Sequence, residues 1–248
     1  MNADGPATAA RVLATLDLTS LGENDTAATI ASLCNAAAGG GHPAAVCVYP
    51  EHIETARRAL DSQGAADVAI ATVVNFPDGS NDLARALRET RRSLAAGADE
   101  IDIVFPWRAY ISGDRDSGPL MLQRCKEICG ARLLKVILET GELGDVLLIR
   151  ELSLTALASG ADFIKTSTAK AGKGATPEAA RVILECIRER SGQGGFKAAG
   201  GIRSLAEAAR YLTLADEVLG PDWATPACFR IGASAVLAEI RAALTFTA

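Results

Sequence analysis

The chain has 248 residues, 49% hydrophobic and 22% charged, with a formal net charge of −5 and a pI near 5.2. That length suits one large core, the acidic balance argues against nucleic acid as a partner, and no apolar run approaches the ~18 residues of a spanning helix. Six cysteines form no CxxC pair and only His42 and His52 are present, so neither a histidine metal site nor zinc is expected.

Taken in order, apolar and β-rich segments recur at 12–18, 44–49, 68–76, 100–105, 133–139, 162–167, 195–198 and 229–233. Their spacing of about thirty residues is that of one strand plus one crossover helix. Between them, helices are expected over 26–38, 50–63, 82–96, 120–129, 145–158, 177–191, 205–215 and 235–244. The stretch 82–96 sets Leu83, Leu87 and Leu94 at helical spacing and stops at Gly97, while Pro177 suits a first helical turn. Gly-Ala-Asp occurs before two strands, at 97–99 and 160–162, as a helix-stop turn. Eight β/α units without a linker argue for an α/β fold, a single closed (β/α)8 TIM barrel with a short extra N-terminal segment, rather than an open sheet. The expected division is a flexible segment 1–10 followed by a barrel domain over 11–248. The first ten residues carry no basic or apolar signal pattern, and the cysteines read as free thiols, so a cytoplasmic location is expected.

The chain writes its positive charge as nineteen arginines and only six lysines, yet three of those lysines fall inside apolar strands: Lys135, Lys165 and Lys197. Lysine is rarely buried unpaired, and unlike arginine it can lose its proton and become a nucleophilic amine. A GC-biased genome with leftover structural lysines is the competing explanation. In a barrel of this kind chemistry sits at the C-terminal strand ends. There the sequence offers Asp17, Cys47, Asn75, Asp102, Lys135 with Glu139, Lys165 with Thr166 to Thr168, Lys197 and Ser234. Strands six and seven are neighbours about 4.8 Å apart, which lets the amines of Lys165 and Lys197 approach to about 5–6 Å. Two such cations repel by about 3 kcal/mol at an effective dielectric near 20, and desolvation acts in the same direction, so one amine is expected to move towards neutrality. Asp102 alternates with Ile101 and Ile103, which turns it inward beside Glu100 and Val104, where it needs a cationic partner. Ala199-Gly200-Gly201-Ile202-Arg203-Ser204 after strand seven and Gly232-Ala233-Ser234 after strand eight are placed where barrels hold phosphate on backbone N–H groups. Cys47 reads as small core filling, with reaction towards unsaturated aldehydes as the alternative.

Across residues 11–243 these segments resemble the deoxyribose-phosphate aldolases. The matching text is Leu16-Asp17-Leu18-Thr19, Val46-Cys47-Val48-Tyr49-Pro50, Thr72-Val73-Val74-Asn75-Phe76-Pro77, Asp102-Ile103-Val104-Phe105-Pro106, Leu134-Lys135-Val136-Ile137-Leu138-Glu139-Thr140, Phe163-Ile164-Lys165-Thr166-Ser167-Thr168, Phe196-Lys197-Ala198-Ala199-Gly200-Gly201 and Arg230-Ile231-Gly232-Ala233-Ser234. The resemblance implies a lyase of carbohydrate catabolism in deoxynucleoside breakdown. It would reversibly cleave 2-deoxy-D-ribose 5-phosphate to D-glyceraldehyde 3-phosphate and acetaldehyde through a lysine Schiff base, with no metal and no organic cofactor. It implies that Lys165 forms the imine, that Lys197 lowers its neighbour's pKa, and that Asp102 moves protons with Lys197 and a water. Residues alone do not say which lysine is the nucleophile. Thr168, Gly200, Gly201 and Ser234 are implied around the phosphate, with Arg203 and Gly232 in the same loops, while Asp17 and Cys47 line the pocket. Partners are then small molecules, a phosphorylated sugar and acetaldehyde, with no nucleic acid or membrane, and a homodimer is the assembly considered.

Three departures stand out. Ala235 replaces a frequent second serine, and Ala198 a frequent proline. The sequence closes on Phe246-Thr247-Ala248 where many members carry a terminal tyrosine, so slower enamine proton exchange is expected. Two other readings stay open: a lysine aldolase for a different phosphorylated sugar, and a sugar-phosphate-binding barrel with a regulatory use.

Overall fold

The computed structural model describes residues 5–245. Eight parallel strands close in sequence order into a barrel: β1 (Leu16–Ser20), β2 (Ala45–Val48), β3 (Ala69–Val74), β4 (Glu100–Val104), β5 (Leu133–Ile137), β6 (Phe163–Lys165), β7 (Gly195–Ala199) and β8 (Phe229–Ala233). Around them run α1 (Gly5–Ala14), α2 (Ala27–Ala38), α3 (Ile53–Ser62), α4 (Leu83–Ala95), α5 (Trp107–Ile111), α6 (Ser117–Cys129), α7 (Thr140–Leu143), α8 (Val146–Ala158), α9 (Pro177–Glu189), α10 (Leu205–Leu219) and α11 (Leu237–Thr245). This is the (β/α)8 barrel that the eightfold alternation called for. No helix among the described residues is long and apolar enough to cross a membrane.

Strand alternation sorts the side chains into two apolar bodies. Ile101, Ile103, Leu134, Val136, Ile164, Phe196 and Ala198 join the large core. Ala45, Cys47, Ala71, Val73, Val104 and Ile137 form a separate small cluster on the opposite, inward face. Gly195 has no Cβ because one would lie 2.5 Å from the Phe163 ring, so the phenyl group occupies that space between the strands. The two Gly-Ala-Asp turns do the same structural work. Gly97 and Gly160 adopt φ of 100° and 97°, and the following carboxylates each accept a strand N–H, Asp99 from Ile70 at 2.8 Å and Asp162 from Leu134 at 2.7 Å.

The first strand begins later than the sequence suggests. Val12 and Leu13 belong to α1, where with Ala9 they bury one helical face at i, i+3, i+4 spacing. Of the segment expected to be flexible, residues 5–10 are helical, and α1 is tied down by Arg11, whose guanidinium donates to both oxygens of Asp216 at 2.7 and 2.8 Å. Residues 1–4, and the 246–248 segment on which the enamine-exchange expectation rests, lie outside the described residues. Helix α10 runs four residues beyond its expected end, to a stop at Gly220 with φ 96°. Helix α6 starts at Ser117, three residues early, because Gly118 lets the backbone press on Phe105, where a Cβ would meet the ring at 2.4 Å.

Candidate active site

Asp102 on β4 is the hub of the barrel interior. Its Oδ1 accepts from Lys135 Nζ of β5 at 2.9 Å. Its Oδ2 accepts from both Lys165 Nζ of β6 and Lys197 Nζ of β7, each at 2.8 Å. Two amines on one oxygen are no further apart than twice 2.8 Å, or 5.6 Å, in keeping with the close approach that the strand spacing implied. The register pairs Lys165 directly with Lys197, and Asp102 with Lys135, so the lysine and aspartate motifs converge through strand pairing alone.

A further layer of charge adjoins this hub. Arg230 of β8 grips Glu100, Nη2 to Oε1 at 2.7 Å and Nη1 to Oε2 at 3.1 Å, and donates to Asp17 Oδ1 at 2.6 Å. Lys135 Nζ also reaches Glu100 Oε2 at 2.5 Å. Lys197 Nζ lies 2.5 Å from Asp17 Oδ2, a charge contact outside hydrogen-bond alignment. All seven side chains are buried. Four cations therefore share three carboxylates.

The electrostatics follow from these contacts. Burial alone would raise the Asp102 carboxyl, but Lys135, Lys165 and Lys197 outweigh it and hold the group well below the usual range. Asp17 is lowered in the same way, burial opposing and Lys197, Arg230 and Lys135 prevailing. Burial presses Lys197 down, yet Asp102 and Asp17 more than offset it, so this amine is raised and stays protonated. Repulsion and desolvation were expected to act on the lysine pair, with Asp102 as a partner for one of them. The structure inserts a carboxylate between them, and that carboxylate fixes Lys197 as the standing cation. The three lysines differ in their carboxylate company. Lys197 touches two and Lys135 three, whereas Lys165 touches one and is the only one of the three with measurable exposure, 3% against 0%.

Above the amines, a mouth pocket of about 360 Å³ is lined by Thr168, Gly200, Gly201, Arg203, Gly232 and Ser234, six of the residues singled out from sequence. Gly200 and Gly201 adopt φ of 95° and 82°, a turn that only glycine makes without strain. A Cβ at Gly200 would also lie 2.4 Å from Ser167 Oγ, whereas nothing stands within 4 Å of one at Gly201. Ala235, in place of the frequent serine, lines the same pocket without a hydroxyl. Thr168 already has partners: its hydroxyl donates to Glu139 Oε2 at 2.6 Å and accepts from the Lys170 N–H at 3.0 Å.

Asp17 and Cys47 do not line that pocket; both are fully buried. Burial pushes the Cys47 thiol up, with Lys197 the largest opposing influence, which leaves it a neutral, sheltered group. Asn75 serves structure: its amide donates to Ser80 O at 2.9 Å and Val104 O at 3.0 Å, joining the β3 loop to β4. Sequence reasoning missed Lys170 and Arg230, and it named Glu139 without its backbone strain. Lys170 lines the mouth pocket, its Nζ donating to Leu21 O at 2.6 Å, and as one of six lysines in the loop after β6 it carried a signal. Arg230 was legible as an inward arginine in an apolar strand. Glu139 sits at a left-handed position, φ 60° and ψ 53°, buried against Thr168, with burial raising its carboxyl; nothing in its sequence position announced that strain. Among the described residues no group of three or more His, Cys, Asp and Glu side chains is placed to hold a metal ion.

Gly232 has a second task. A Cβ there would lie 3.1 Å from both Lys197 Cε and Ala199 Cβ. Gly232→Ala should push the Lys197 stem, cost about 1–2 kcal/mol by overpacking, and reduce turnover more than it raises KM. Thermal melts with steady-state kinetics check this; wild-type turnover in a stably folded variant would refute it.

The fold and this mouth define a TIM barrel with buried amines at the C-terminal strand ends, the face on which such barrels carry their chemistry. Residues 11–219 match the model of the DeoC/LacD family aldolases, and the chain belongs to that family. It is similar to the apo form of a provisionally assigned deoxyribose-phosphate aldolase from Toxoplasma gondii ME49, with TM-score 0.92, 27% identity, and 100% of this chain and 99% of that chain covered. It also resembles QR15, an aldolase, with TM-score 0.81 and 28% identity over 96% of this chain and 99% of that one. The tetrameric deoxyribose phosphate aldolase from Aeropyrum pernix shares the fold, with TM-score 0.75 at 24% identity over 97% and 99% of the two chains.

Proposed function

We propose that the chain is a class I aldolase that reversibly cleaves 2-deoxy-D-ribose 5-phosphate to D-glyceraldehyde 3-phosphate and acetaldehyde, with Lys165 as the imine-forming residue. The observation that carries this is Asp102 Oδ2 held between Lys165 and Lys197, below a glycine-lined pocket on β7 and β8. Lys165 is the amine of the three with the fewest carboxylate contacts and the one with measurable exposure. As a free amine it attacks C1 of the open-chain sugar, and loss of water gives the protonated imine. A base removes the C3 hydroxyl proton, the C2–C3 bond breaks, and its electron pair moves to the imine nitrogen as the enamine forms. Glyceraldehyde 3-phosphate leaves, C2 takes a proton, and water releases acetaldehyde from Lys165. Asp102 and Lys197 supply the proton path, the carboxylate taking protons and the standing ammonium returning them through water. Six unpaired cysteines, five of them buried, fit a reducing cytoplasm.

The mouth pocket takes the phosphate. Lys170, exposed and donating to Leu21 O, brings the cation, and the Gly200–Gly201 turn brings backbone. Lys170→Ala should raise KM for the phosphorylated sugar roughly tenfold, with kcat nearly unchanged and unphosphorylated deoxyribose unaffected. An equal effect on both sugars, read in parallel steady-state assays, would remove the phosphate from this pocket.

Acetaldehyde followed by borohydride, then peptide mapping, tests the reaction. An ethyl group on Lys165 is the expected product. Labelling by ketone donors alone would instead indicate an aldolase for another sugar, and no labelling by either would indicate a binding barrel.

A further inference from the structure

Arg230, Glu100 and Lys135 touch no part of the mouth pocket, yet they form a continuous buried chain that ends at the reacting amine. The contacts run from Arg230 Nη2 to Glu100 Oε1 at 2.7 Å, Glu100 Oε2 to Lys135 Nζ at 2.5 Å, Lys135 Nζ to Asp102 Oδ1 at 2.9 Å, and Asp102 Oδ2 to Lys165 Nζ at 2.8 Å. A purely structural network gains most when its charges balance, because an uncompensated buried charge is costly. This one holds Lys135, Lys165, Lys197 and Arg230 against Asp17, Glu100 and Asp102, one cation in excess while every member is ionised. Release of one proton removes the excess, and Lys165 is the member with a single carboxylate contact and, alone of the three lysines, measurable exposure.

We propose that Lys135, Glu100 and Arg230 are positioning residues that set the proton occupancy of Lys165 by maintaining this excess positive charge beneath Asp102. The inference rests on the imine reading and assigns these three residues a part in its pH dependence. Every strand around Lys165 has a defined contribution. From β1 comes Asp17, from β2 the Cys47 thiol, from β4 Glu100 and Asp102, from β5 Lys135 with Glu139 just beyond its end, from β7 Lys197, and from β8 Arg230; the inward residues of β3 are Ala69, Ala71 and Val73 and do not titrate. Burial, opposed by Asp102 and Glu100, leaves the Lys135 amine raised, so it remains a fixed cation through the neutral range. Glu139 and Cys47 are unchanged in each variant below, so any difference between variants reads the network itself.

The sign is set by Coulomb's law. Removing a cation lets Lys165 keep its proton to higher pH; removing an anion releases it earlier. The pH dependence of ethyl labelling by acetaldehyde and borohydride should therefore move in opposite directions. Lys135→Met should shift the rising midpoint up by about one to two pH units, and Glu100→Gln should shift it down by a similar amount. Arg230→Lys keeps the charge and should leave the midpoint in place. Shifts of the same sign in both, or labelled variants whose midpoints do not move, overturn the proposal. If Lys135→Met does not fold, Glu100→Gln decides alone, an upward or absent shift overturning it. A wild-type chain that takes no label overturns the imine reading, and this inference with it; labelling with immobile midpoints overturns only the network.

Discussion

Lys165→Met should abolish ethyl labelling by acetaldehyde and borohydride and reduce aldol cleavage by a factor on the order of 10⁴ or more, while leaving the fold intact. Lys165 makes one ion contact, to Asp102, and that carboxylate keeps Lys135 and Lys197 when the amine is gone. Three cations then face three carboxylates, so the substitution balances the buried charge and methionine fills the space with flexible apolar atoms. Lys197→Met is the contrasting case. It removes the ammonium that bridges Asp17 and Asp102, so two buried carboxylates each lose a cation contact where Lys165→Met takes a contact from one, and it should cost stability as well as rate. Thermal melts separate the two variants, and peptide mapping locates the label. Labelling that persists in Lys165→Met, or turnover within tenfold of wild type, would move the nucleophile elsewhere.

Much of this site was legible because strand alternation is a strict rule. Once Ile101 and Ile103 are taken to face the helices, Glu100 and Asp102 must face inward, and the same parity sends Lys135, Lys165 and Lys197 to meet them. The glycines after β7 and β8 were legible because a turn with positive φ excludes most other residues. What remained hidden depends on three-dimensional charge balance. A pairwise estimate between neighbouring strands sees repulsion between Lys165 and Lys197. Only the closed barrel brings Asp17 from the first strand and Arg230 from the last into the same cluster, because β1 and β8 pair only when the sheet closes. The start of β1 was misplaced for a related reason. Val12 and Leu13 suit a strand locally, and it is packing of α1 against α10 and α11 that makes them helical.

Asp102→Asn should be the most damaging single change to the whole assembly. The amide keeps the shape of the side chain but removes the charge that three buried lysines share, leaving four cations against two carboxylates. Breaking a buried pair on one side costs about 3–5 kcal/mol, which for a barrel of this size lowers Tm by roughly 10 °C or more. The pH dependence has a definite sign. Wild-type Asp102 has its carboxyl lowered in the folded state, so its stabilising effect is present above the unfolded carboxylate value near 3.9 and is lost as pH falls through the folded value. Lys197 is raised, so its contribution is full below the unfolded lysine value near 10.4 and fades only at higher pH. Between those limits Asp102 and Lys197 are both charged in the folded state. In Asp102→Asn the excess cations have no such window, so the Tm deficit should be largest at neutral pH and narrow as rising pH lets the buried amines discharge. Activity should fall about 10³-fold or more, through loss of the proton path rather than loss of imine formation. Melts at pH 7 and 9 together with borohydride labelling resolve these effects. A Tm within about 2 °C of wild type at pH 7 would mean that Asp102 is not the hub on which the buried lysines depend.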